Sequence, residues 1–124
     1  MTPTSSRRPL ALVVEDDPNQ RVLLATLLEE SEMRVLECES AEAAVCLLDT
    51  VGHEIRLLIT DVGLAGVMSG TVLASEAKRR FPDLHVIVTS GRAAPERLPN
   101  DAKFMPKPWR ALDMLREAER SMSA

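Results

Sequence analysis

A chain of 124 residues fits one domain of ordinary size. Its net charge of -4 argues against direct nucleic-acid binding driven by phosphate neutralisation, and no apolar run has the length of a membrane span. Hydrophobic residues make up 45% of the chain but aromatic ones only 2%, so the core must be built from Leu, Val, Ile, Ala and Met.

Residues 1–9 read as a flexible polar tail ahead of a single domain over residues 10–124. The tail has two arginines, but the apolar run after it is five residues long and stops at acids. That is no signal peptide, and a cytoplasmic protein is expected. The first strand, Leu10–Val14, ends in Glu15-Asp16-Asp17. Asp17-Pro18 is a helix cap with proline at the first helical position, and the helix after it puts Leu23, Leu24, Leu27 and Leu28 on one face. Met33–Cys38 is a charged, edge-type strand. Ser40 caps a second helix, in which Ala41, Ala44, Val45 and Leu48 recur at helical spacing. Cys38 and Cys46 lie in segments that look buried and read as two reduced core thiols. Ile55–Thr60 is a third strand, ending at Asp61. A helix from about Thr71 to Phe81 stops before Pro82, and Leu84–Thr89 is a fourth strand. Ala102–Met105 is the fifth strand. The last helix starts after Pro108, with Ala111, Leu115, Ala118 and Met122 aligned.

The first, third and fourth strands are nearly continuous apolar runs, as in central strands covered on both faces. Strand–helix alternation implies an α/β sheet with right-handed crossovers and helices on both faces. Gly91, Pro95 and Pro99 interrupt the segment between the fourth and fifth strands, so a helix there is short or replaced by loop.

Sites in such sheets lie beyond the carboxyl ends of the strands. Those ends carry Glu15, Asp16 and Asp17, then Asp61, Thr89 and Lys107. Carboxylates gathered at one end resist ionising together, and a hard divalent cation is the natural counter-charge. Taken singly, each residue has a plainer reading: a helix cap for Asp17, a turn residue for Asp61, a solvated lysine for Lys107, a strand-end hydroxyl for Thr89, a core ring for Phe104. Trp109 reads as an anchor for the last helix, and His53 and His85 as surface or loop residues.

Four stretches in order, Leu12-Val13-Val14-Glu15-Asp16-Asp17, Leu57-Leu58-Ile59-Thr60-Asp61, Val88-Thr89-Ser90-Gly91 and Phe104-Met105-Pro106-Lys107-Pro108, resemble the receiver domains of two-component response regulators. The loop after Asp61 is similar to those of receivers associated with hybrid histidine kinases. The resemblance implies a three-layer flavodoxin-like (CheY-like) fold with a five-stranded parallel sheet of order 2-1-3-4-5. It also implies roles for particular residues. Asp61 would accept a phosphoryl group from a histidine kinase or phosphotransfer protein. Asp16 would bind Mg2+ directly, Glu15 through water, and the Gly63 carbonyl would complete the protein's share of the set. Lys107 would hold a phosphoryl oxygen, Thr89 would be the switch hydroxyl, Phe104 the aromatic that follows it, and the Lys107–Pro108 bond would be cis. A bacterial, cytoplasmic phosphorelay protein is implied, monomeric or dimerising on phosphorylation, that acts on a downstream protein target and is no enzyme beyond its own phosphorylation and dephosphorylation. Ala65 stands where many receivers have proline, and the loop is slightly long. Gly63 and Gly91 leave the acyl phosphate unshielded, which implies fast hydrolysis.

Two other readings compete. An aspartate-nucleophile phosphatase needs a second acid two residues on, and Asp61-Val62-Gly63 lacks it. A pseudo-receiver that only binds proteins usually lacks the acceptor or the metal acids, all of which are here.

Overall fold

In the computed structural model the described residues are 8–95 and 97–122. Five strands, β1 (Leu10–Val14), β2 (Arg34–Cys38), β3 (Ile55–Asp61), β4 (His85–Ser90) and β5 (Lys103–Pro106), form one parallel sheet. Their order is β2-β1-β3-β4-β5, the order implied by the resemblance. Four helices accompany them: α1 (Pro18–Glu30), α2 (Ala41–Val51), α3 (Gly70–Arg80) and α4 (Ala111–Met122). Most of the expected tail lies outside the described residues.

All five residues of β1 are buried, because it runs mid-sheet with a helical layer on each face. Alternate residues feed different cores. Leu10, Leu12 and Val14 meet Ala44, Leu48 and Leu73 of α2 and α3, together with Leu58 and Val86. Ala11 and Val13 meet Leu24 and Leu28 of α1, Met114 and Ala118 of α4, and Ile59 and Ile87. Each wholly buried Leu or Ile contributes about 1.5–3 kcal/mol relative to exposure.

Three expectations about helix faces need correction. On α1 the inward stripe is Leu24, Ala25 and Leu28, while Leu23 is 54% exposed; one residue off the stripe is a rotation of about 100°. On α4 the inward residues are Met114, Glu117, Ala118 and Ser121, and Ala111 is exposed. A buried glutamate hid that stripe from a hydrophobic reading. Glu117 is satisfied by His85, whose Nε2 lies 3.1 Å from its Oε2, so His85 is a tie between β4 and α4 and not a loop residue. Cys46 is exposed and Cys38 half-buried, both as free thiols; position 46 faces away from the Ala41, Ala44, Leu48 stripe. His53 is exposed, and Trp109 packs against the α1–α4 core.

No helix stands between β4 and β5 among the described residues, as the prolines predict. A loop covers that part of the sheet instead. Leu98 and Ala102 pack onto the α2–α3 core. Lys78 of α3 holds the loop's far end, with its Nζ 2.7 Å from Asp101 Oδ2 and donating to the carbonyls of Pro82 and Leu84.

Candidate functional site: an acidic cluster with one lysine

Residues that leave the strands at their carboxyl ends converge. Beyond β1 the chain turns at once, because Asp17 caps α1 by accepting from the backbone N–H groups of Asn19 and Gln20. Asp17 is therefore a cap, as expected. Glu15 and Asp16 stay on top of the sheet. The Arg21 guanidinium, one turn into α1, donates to the Glu15 carbonyl at 2.8 Å. Asp61 ends β3 and sits in register with Thr89 on β4, which is buried. The Val62 N–H donates to the Thr89 carbonyl at 2.9 Å and so is already committed to the sheet. Lys107 follows β5, and its bond to Pro108 is cis. Phe104 is half-buried against the α2–α3 core.

Carboxylate oxygens of Glu15, Asp16 and Asp61 lie within 4.8 Å of one another. Lys107 Nζ donates to Glu15 Oε1 at 2.9 Å and stands 3.4 Å from Asp61 Oδ1. Burial pushes the Glu15 carboxyl above its ordinary value, against the opposing pull of the Lys107 hydrogen bond. Burial also works against charge on Lys107, but the Glu15 hydrogen bond and the fields of Glu15 and Asp61 outweigh it, and its pKa is raised. Three carboxylates against one ammonium leave two negative charges. The donors are all oxygen, the set a hard divalent cation takes, so the cluster suits Mg2+.

A cavity of about 510 Å3 opens beside these groups, lined by Asp61, Val62, Gly63, Ser90, Gly91, Arg92 and Lys107. A Cβ at Gly63 or at Gly91 would meet nothing within 4 Å, so both positions are open. The structure thus brings Glu15, Asp16, Asp61, Gly63, Thr89 and Lys107 to one end of the sheet, with Phe104 on the adjoining strand.

Three residues here were not singled out in the sequence. Arg21 braces Glu15, and its only sequence signal is a cation one turn past an acidic cap. Arg92 lines the cavity next to Gly91. Gly70 opens α3 where a Cβ would collide with the Asp61 carbonyl oxygen. Its signal was Ser69-Gly70, in which Ser69 caps the helix by accepting from the Val72 N–H.

A family model for the response regulator receiver domain matches residues 11–116, and the chain belongs to that family. It is a receiver of two-component signalling, a class that works with histidine kinases and is not a conventional enzyme. The response regulator receiver protein CpdR of Brucella abortus (strain 2308) is 31% identical over 118 residues, 91% of this chain and 96% of that protein. The sensor kinase CckA of the same organism is 32% identical over 103 residues, 79% of this chain, which spans only 11% of that kinase. Among solved structures, a response regulator receiver protein from Sinorhizobium medicae WSM419 matches with a TM-score of 0.88 at 20% identity, over 94% of this chain and 96% of that one. The receiver domain of the hybrid histidine kinase CckA matches at 0.79 and 26% identity, over 91% and 98%. Among the described residues no helix is long and apolar enough to cross a membrane.

Proposed function

We propose that Asp61 is the phosphoacceptor of this receiver and takes its phosphoryl group from the phosphohistidine of a kinase or phosphotransfer protein. The supporting observation is the convergence of Glu15, Asp16 and Asp61 within 4.8 Å, with Lys107 3.4 Å from the Asp61 carboxylate. In-line transfer needs positioning and charge neutralisation more than covalent work. An Asp61 oxygen forms the new bond to phosphorus as the P–N bond breaks. The electron pair returns to the imidazole nitrogen, which takes up a proton. Lys107, a compact point charge, faces one phosphoryl oxygen, and the Thr89 hydroxyl serves another. Asp16, Asp61 and the Gly63 carbonyl would hold Mg2+, with Glu15 acting through water. When bound, the ion supplies neutralising charge at the phosphoryl oxygens.

A phosphoryl group adds about -1.5 to -2 charges and strong acceptors. Thr89 moving toward it frees room for Phe104 to turn inward, and the β4–β5 surface, covered here by loop, changes for a downstream protein. The shift is bounded by how much better one state holds the phosphoryl group. Open Gly63 and Gly91 admit water, so hydrolysis is fast for the family.

Incubation with a phosphorylated histidine phosphotransfer domain tests the assignment. Label should pass to the wild-type chain and not to Asp61→Asn. Equal labelling of both would overturn it.

A further inference from the structure

Eight residues, 62–69, join β3 to α3. Their base closes on itself: the N–H groups of Leu64 and Gly70 both donate to the Val62 carbonyl, at 3.1 and 3.0 Å. The far side is held from another element. Glu42, in the first turn of α2, accepts the N–H groups of Val67 at 3.1 Å and Met68 at 2.8 Å, both on Oε2. Next to this grip Gly66 takes a φ of +103°, and a Cβ there would lie 2.8 Å from Glu42 Oε1. A bridge between Ser40 and Ala65 draws the same segment toward α2. Leu64 and Met68 pack against the α2–α3 core, but Val67 between them is wholly exposed, so the loop's tip is held by the Glu42 hydrogen bonds and not by its own packing. Gly63 lies between the closure at Val62 and the grip at residues 67–68.

We infer that Glu42 is a positioning residue for the metal site, gripping this loop from α2 so that the Gly63 backbone is fixed beside Asp16 and Asp61. The inference rests on the proposed assignment of the Gly63 carbonyl to Mg2+. The hydrogen bond from Met68 holds the Glu42 carboxyl below the usual carboxylate range, the direction expected of a carboxylate that accepts backbone N–H groups. Groups that orient metal ligands from outside typically change metal affinity 10–100-fold when removed.

Glu42 also lines one cavity with Asp16, so its charge alone would favour a cation. The test must separate charge from grip. Mg2+ affinity of the full chain is measured by calorimetry without phosphodonor, for wild type, Glu42→Ala, Glu42→Gln and Gly66→Ala. A glutamine oxygen accepts both N–H groups without the charge. Glu42→Ala should bind about tenfold more weakly, and Glu42→Gln should stay close to wild type. Gly66→Ala, which attacks the same contact from the loop side, should weaken binding in the same direction and keeps the test open if Glu42→Ala does not fold. A folded Glu42→Ala with wild-type affinity overturns the inference, and so does a Glu42→Gln as weak as Glu42→Ala, because charge and not grip would then be at work. Should Glu42→Ala not fold, wild-type affinity in Gly66→Ala overturns it equally. A wild-type chain that binds no Mg2+ overturns the proposed metal set itself, and this inference with it.

Discussion

Lys107 links two carboxylates from different strands, 2.9 Å from Glu15 and 3.4 Å from Asp61, and is too little positive charge for three acids. That imbalance is legible from the residues alone, since the acids end two apolar runs and the lysine follows the fifth strand. Gly70 was not legible in the same way. Its importance is an absence of atoms, visible only once α3 is seen to start against the Asp61 carbonyl. Gly70→Ala should therefore cost about 1–3 kcal/mol, as overpacking does, and should also displace Asp61. Urea denaturation measures the first and Mg2+ titration the second. A variant unchanged in both would show that α3 can retreat without cost. Gly66 and Glu42 were hidden for the same reason, because a contact between positions 42 and 67 has no local signature in the chain.

At the scale of elements, every expected strand end lies within a residue of the observed one, because short β-type runs bounded by turn residues mark them plainly. The inward face of α4 was misread because Glu117 is buried with His85 as its partner, and polar residues that carry a partner inward defeat a hydrophobic pattern. For the segment between β4 and β5 the prolines leave two alternatives, a short helix or a loop, and among the described residues it is a loop. What ties it down was not read. The hydrogen bond from Lys78 holds the Asp101 carboxyl below its ordinary 3.8. A depressed carboxylate contributes stability that is complete above the unfolded value and fades as pH falls through the folded one. The amides of Leu98, Asn100, Asp101 and Ala102 should thus keep their protection down to about pH 4 and lose it below that. Asp101→Asn should loosen them at neutral pH at a global cost of about 1 kcal/mol or less, since the aspartate is exposed. Hydrogen exchange measures both. Protection that is indifferent to the substitution would assign the loop's order to Leu98 packing alone.

For the whole molecule, the two ends of the sheet separate the charged site from structural ties. The sheet's carboxyl end gathers the charged site, while the opposite end is tied by His85–Glu117 and by Arg56, whose guanidinium donates to the Ser121 carbonyl at 2.8 Å. In the proposed function a phosphoryl group changes charge only at the first end, and Thr89 and β4–β5 carry its effect to a partner. That makes phosphorylation of Asp61 the claim on which the rest depends. Intact-mass spectrometry after incubation with acetyl phosphate measures it directly, with and without Mg2+, for wild type and Asp61→Asn. One added phosphoryl mass on wild type that needs Mg2+ and is absent from Asp61→Asn is the expected result. A folded wild type that gains no mass at saturating donor and Mg2+, or an Asp61→Asn variant that gains as much, would contradict the account.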